Sequence, residues 1–148
     1  MTPLFLDTSY LIDYLRGRPL SNKDEIVSAV HQKIVYYNGI ILTELLSGAR
    51  TPKSQKHIEK MLSGLTYLPV KYDDYKQAGL IRNSLFKKGF SMSTPDALIA
   101  VHVKKYSMKL ITGDTFFIKA GDLLNIKVEI LESGPDQYTG SPLRSDER

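Results

Sequence analysis

LFLDTSYLIDYL, residues 4–15, changes hydrophobic period partway along. Leu4-Phe5-Leu6 is a short apolar run that stops at Asp7 and reads as a buried strand. Beyond it Thr8 or Ser9 is the expected cap, and Tyr10, Leu11, Tyr14 and Leu15 recur at helical spacing until Gly17 and Pro19. A buried strand running straight into a helix is the opening of a βα unit. The rest of the chain repeats the alternation. Residues 22–32 read as a helix, Ile34-Val35-Tyr36-Tyr37 as a strand closed by Asn38-Gly39, and Ile40 to Leu46 as a helix ending near Gly48. Thr51-Pro52 opens another helix, Leu65 to Val70 is a third strand, and a long helix runs from about Asp73 to Lys88. Thr94-Pro95-Asp96 is a helix start, with Thr94 as expected cap and a helix to about Lys105. Leu110-Ile111-Thr112 and Lys127 to Leu131 complete five strands. Strands separated by helices predict an α/β fold with a central, mostly parallel five-stranded sheet flanked by helices.

The chain has 148 residues, the size of one domain, and no cysteine, which excludes disulfides, zinc–thiolate sites and thiol nucleophiles. No apolar run approaches the ~18 residues of a membrane span. Asp7 and Asp13 fall where a secretory signal would be apolar, so a cytoplasmic protein is expected. Lys plus Arg outnumber the acids by 20 to 16, an excess compatible with a polyanionic partner. Residues 1–132 read as the domain. Residues 133–148, SGPDQYTGSPLRSDER, are polar and read as a flexible tail.

Four acids stand in unusual positions. Asp7 and Asp114 each follow a strand, Asp96 lies in the first turn of a helix, and Glu44 sits inside ILTELLSGA, whose apolar neighbours predict a side chain that is not fully solvated. The carboxyl ends of parallel strands share one sheet edge, where ligands bind. Two carboxylates ~4 Å apart repel by about 4 kcal/mol at an effective dielectric of ~20. Four converging there need protonation, a buried cationic side chain or a bound cation. Oxygen donors without His or Cys suit Mg²⁺ or Mn²⁺. Taken singly, Asp96 also fits a helix-dipole role, Asp7 and Asp114 turn or cap roles, and Glu44 an ion pair.

The segments LFLDTSYLID, IILTELLSGA, TPDALIAVHVKKY and LITGDTFF, in that order, resemble PIN-domain ribonucleases, and within them the toxin of VapBC toxin–antitoxin pairs. The similarity runs from residue 3 to about 131. The apolar strand entering D-T-S and the helix opened by D-A-L-I-A are its specific parts. The resemblance implies metal-binding, catalytic carboxylates at Asp7, Glu44, Asp96 and Asp114. It implies support from the Thr112 hydroxyl and from Ser9. It further implies a Mg²⁺- or Mn²⁺-dependent endoribonuclease that forms a homodimer and is inhibited by a cognate antitoxin that inserts a segment into the site. Asp114-Thr115-Phe116-Phe117 keeps the aromatic of the family pattern and lacks its extra polar ligand.

An RNA substrate needs cations around an acidic hole. Arg50, Lys53, Lys56 and Lys60 are the candidates, the three lysines sharing one helical face, with an ordinary solvated face as the alternative. Tyr72 and Tyr75 read as base-stacking, core or dimer residues. Tyr10, Tyr14, Ile26 and Val30 read as dimer or core residues. His31, His57 and His102 carry little signal, and His102 reads as packed rather than ligating. A receiver domain is excluded because no Asp lies between Asp24 and Asp73. A haloacid-dehalogenase phosphatase is excluded because Ser9 stands where its second acid would be. Two rivals to a toxin nuclease are a PIN nuclease of RNA processing and a PIN-fold protein that binds RNA or an antitoxin with little catalysis.

Overall fold

In the computed structural model, which describes residues 1–20 and 22–131, Leu4–Leu6 forms β1 with all three side chains buried. The elements that follow are α1 (Thr8–Leu15), α2 (Lys23–His31), β2 (Val35–Asn38), α3 (Gly39–Gly48), α4 (Pro52–Leu62) and β3 (Thr66–Leu68). After them come α5 (Tyr72–Lys87), α6 (Thr94–Lys105), β4 (Lys109–Thr112), α7 (Phe116–Leu124) and β5 (Lys127–Ile130). The strands form one sheet in the order β3-β2-β1-β4-β5, and every neighbouring pair is parallel. The expected sheet is therefore present and is parallel throughout. The range 133–148, expected to be a flexible tail, lies outside the described residues.

The strand order fixes where a ligand is placed. From β1 the chain steps outward to β2 and β3, then crosses back to lay β4 on the other side of β1. Leu4 sits beside Val35 on one side and Lys109 on the other. The order reverses between β1 and β4, and in open α/β sheets that switch point, beyond the carboxyl ends of the strands, is where ligands bind. The central strands hold the core: Phe5, Leu110 and Ile111 are fully buried, with Tyr10, Ile99 and Phe117 covering them from the helices.

Three local readings are corrected. Asp7 itself caps α1, accepting from the Thr8 N–H at 2.8 Å, where Thr8 or Ser9 was expected. Ser93, not Thr94, caps α6, because its hydroxyl accepts from the Asp96 N–H at 3.2 Å. Thr94 then occupies the first turn. Helix α7 is not foreseen by the pattern. Its cap residue Thr115 makes no side-chain bond, and Gly121 interrupts its interior. That glycine has a packing reason, since a Cβ there would lie 2.9 Å from Val128 Cγ2 on β5. Its bare backbone lets α7 close on the edge strand.

Candidate active site

The first residue past β1 is Asp7, and the second past β4 is Asp114, so the switch point opens between two acids. The Asp7 N–H donates to the Ile111 carbonyl at 3.0 Å, carrying the pairing of β1 and β4 up to this edge. One Asp7 carboxylate oxygen, Oδ1, is taken by the Thr8 N–H. The other, Oδ2, accepts from the Thr112 hydroxyl at 2.7 Å. The Thr112 oxygen in turn accepts from the Asp114 N–H at 3.0 Å. Ser9 Oγ accepts from the Gly113 N–H at 2.8 Å. Thr112 and Ser9 thus lace the β4–α7 turn to the start of α1. Asp114 Oδ1 accepts from the Phe116 N–H at 3.0 Å, and its side chain is exposed.

Asp96 arrives from α6, as the third residue of a helix whose following residues, Ala97 to Val103, are all buried. Glu44 arrives from the middle of α3. Ile41 and Leu45 take the core side of that helix, which leaves Glu44 on the surface. Its apolar neighbours turn inward, and Glu44 keeps contact with solvent while losing part of the water around its carboxyl.

The four acids act on one another. Burial raises the Asp7 pKa; the Thr112 and Thr8 bonds oppose this, and the charges of Asp96 and Asp114 add to the rise. Asp96 is raised by partial burial and by Asp114, against the Ser93 hydroxyl. Glu44 is pushed up to about 7, first by loss of water around it and then by Asp7 and Asp96. Among the described residues, the causes of the Asp7, Glu44 and Asp96 shifts are burial, hydrogen bonds and other carboxylates. Among the described residues no three acidic or histidine side chains converge into a finished metal cage. The Thr8 hydroxyl, next to Asp7, is buried without a hydrogen-bond partner.

Arg50, Lys53, Lys56 and Lys60 are all exposed. The three lysines lie on the outer side of α4, opposite the buried Ser54, Ile58 and Leu62. His31 and His57 are exposed, and His102 is fully buried. Tyr10 and Ile26 are core residues. Tyr14 and Val30 line an apolar groove of about 470 Å³ between α1, α2 and the end of α4, with Lys23 and Lys60 also on its wall. None of the four acids lines that groove. Tyr72 and Tyr75 do not pack in the core: they are 84% and 55% exposed, and Phe86 on the same helix is 74% exposed. Asn38, read as closing a strand, also caps α3, its Oδ1 accepting from the Ile40 and Ile41 N–H groups at 3.0 and 3.3 Å. An Asn directly before a helical apolar pattern is the signal that would have found it.

Comparison with known proteins agrees with this architecture. The family model described as PIN domain matches residues 4–123. A solved structure of DNA-bound VapBC from Salmonella typhimurium is similar at a TM-score of 0.72 and 23% identity, over 88% of this chain and 98% of that one. VapBC2 from Rickettsia felis, bound to a DNA fragment from its promoter, is similar at 0.70 and 22%, over 86% and 97%. VapBC-5 from Mycobacterium tuberculosis is similar at 0.61 and 24%, over 88% and 98%. No curated protein sequence matches the chain. With its all-parallel sheet, its acids at the switch point and a family match spanning most of its length, the chain belongs to the PIN domain family.

Proposed function

We propose that this chain is a divalent-cation-dependent endoribonuclease and the toxin of a toxin–antitoxin pair. The observation that supports the reading most is Asp7 and Asp114 at the ends of the two strands that flank the switch point, with mutual charge among Asp7, Glu44, Asp96 and Asp114. The donor chemistry fits a hard cation. All four groups offer carboxylate oxygen, which suits Mg²⁺ or Mn²⁺. Asp7, Asp96 and Asp114 would hold it, with Glu44 joining them or orienting the attacking water. A bound cation of this kind supplies positive charge at the phosphoryl oxygens and makes water more acidic.

The protein's own groups do the positioning. The Thr112 hydroxyl donates to Asp7 and so fixes the carboxylate's rotation, while Ser9 holds the Gly113 turn that presents Asp114. Glu44, on the solvent side, is where an in-line water would be oriented. No histidine is needed, so the expected products carry a 5′-phosphate and a 3′-hydroxyl. Arg50, Lys53, Lys56 and Lys60 would track the RNA backbone.

Two partners belong to the same reading. PIN-fold neighbours in Rickettsia felis and Salmonella typhimurium are solved as VapBC complexes, which supports a cognate antitoxin here. We assign its docking to the apolar groove walled by Lys23 and Lys60. The second partner is another copy of this chain. Tyr72, Tyr75 and Phe86 are large exposed aromatics on α5, and exposed apolar surface of this kind marks contact surfaces. A cytoplasmic site of action follows from the toxin role.

The test is RNA cleavage with Mn²⁺ by the wild-type protein and by Asp7→Asn. The expected loss is on the order of 10³-fold, the scale of removing one electrostatic group from an active site. Equal cleavage by the two proteins, or 2′,3′-cyclic ends, would overturn the mechanism. RNA binding without cleavage by the wild type would favour a binding protein instead. Growth arrest on expression, relieved by the adjacent reading frame, separates a toxin from an RNA-processing nuclease.

A further inference from the structure

Behind the acidic edge lies a second polar cluster, buried and fully partnered. Asn38, Asp74 and His102 are 0%, 1% and 0% exposed, and they come from three different places in the chain. Asn38 ends β2 and caps α3. His102 lies in α6, and Asp74 in the first turn of α5. Because Asn38 Oδ1 already accepts from the Ile40 and Ile41 N–H groups, its Nδ2 must be the atom that donates to His102 Nδ1, at 3.1 Å. With Nδ1 accepting, His102 Nε2–H donates to Asp74 Oδ2, also at 3.1 Å. Asp74 is held from its other sides by the Lys71 N–H at 2.9 Å and by Lys105 Nζ at 3.2 Å. Each donor has one acceptor, and the direction of the chain is fixed from end to end.

This cluster joins the two helices that carry acids of the site. Glu44 is six residues beyond Asn38 on α3, and Asp96 is six residues before His102 on α6. Helices α3 and α6 pack on each other, and the residues that bury them are otherwise apolar. Apolar contact is non-directional and resists sliding weakly. A buried, satisfied hydrogen-bond chain selects one register.

We infer that Asn38, His102 and Asp74 are positioning residues, whose buried hydrogen-bond chain sets the register of α3 against α6 and thereby the placement of Glu44 relative to Asp96. This inference rests on the cation reading above, so its test separates the two. In the metal-free protein, His102→Leu should speed amide hydrogen exchange in α3 and in the first turns of α6. His102→Gln, which can accept from Asn38 and donate to Asp74, should restore it. By calorimetry, His102→Leu should bind Mn²⁺ about 10–100-fold more weakly, the range for losing a group that orients a metal ligand. His102→Gln should recover most of that affinity. Leu62→Ala, which opens a cavity under the last turn of α4, should lower thermal stability and leave Mn²⁺ affinity unchanged.

Mn²⁺ affinity that falls equally in Leu62→Ala and His102→Leu would overturn the inference, because loss would then follow stability alone. So would unchanged exchange in α3 and α6 of His102→Leu. No Mn²⁺ uptake by the wild-type protein would overturn the cation reading, and the exchange results would still decide whether the cluster sets the helix register.

Discussion

Asp7 and Asp74 are both buried-side aspartates, and the protein shifts them in opposite directions. Burial raises the Asp7 pKa, and neighbouring acids add to it. Burial works against the Asp74 carboxylate as well, but the Lys71 N–H, His102 and Lys105 outweigh it and hold its pKa below the ordinary value. The difference lies in what each is given. Asp74 has a donor on every side, whereas Asp7 has two hydrogen bonds and two nearby negative charges. A carboxylate completed by its own protein belongs to the architecture. One left short of positive charge is available to something that arrives.

The contrast can be tested from both ends. The largest effect is expected at the completed end. Asp74→Ala strands the His102 Nε2–H and the Lys71 N–H in the interior and should cost about 3 kcal/mol, as breaking a buried charged pair does. Urea unfolding measures it, and a loss within the ordinary surface range would mean that the cluster is not structural. Both regions also respond to acid, with opposite sign. Asp74 has a lowered pKa, so its contribution is present above the ordinary value of 3.8 and is lost as pH falls through the folded value. Glu44 has a raised one. Between 4.5 and about 7 the folded protein binds more protons at Glu44 than the unfolded chain does. Stability of the metal-free protein should therefore rise as pH drops across that window, with the raised Asp7 and Asp96 adding to the rise, and fall only below 3.8 as Asp74 is protonated. Urea midpoints in chelator at several pH values check this, and Glu44→Gln should flatten the rise.

Smaller effects sharpen the open end. Thr112→Val removes the donor to Asp7 Oδ2 and the acceptor for the Asp114 N–H. Mn²⁺ affinity should fall about tenfold, the lower end for a group that supports a ligand. An unchanged affinity would detach Thr112 from the site. Reversing the charges of Lys53, Lys56 and Lys60 should weaken RNA binding and flatten its salt dependence, with little change in Mn²⁺ uptake. RNA binding that keeps the wild-type salt slope would make that face an ordinary solvated one.

Most of the fold was legible because it is written in local period. Leu4-Phe5-Leu6 and Leu110-Ile111-Thr112 announce their strands, and the parallel sheet follows from the helices between them. The acids of the site were legible for the same reason, since Asp7 and Asp114 sit where strands end. What escaped depends on contacts distant in sequence. Asn38, Asp74 and His102 are separated by 36 and 28 residues, and no periodicity pairs them. Helix α7 was missed because Gly121 looks like a breaker until Val128 packs against it. The partial desolvation of Glu44 was legible from its apolar neighbours, although Ile41 and Leu45 point inward on the helix while Glu44 keeps contact with solvent.

Manganese titration calorimetry on the wild-type protein and on Asp7→Asn addresses the central claim most directly. Saturable uptake by the wild type that disappears in the variant is the expected result. No uptake by the wild type, or the same uptake by both, would contradict the claim that these acids gather at the switch point to hold a cation.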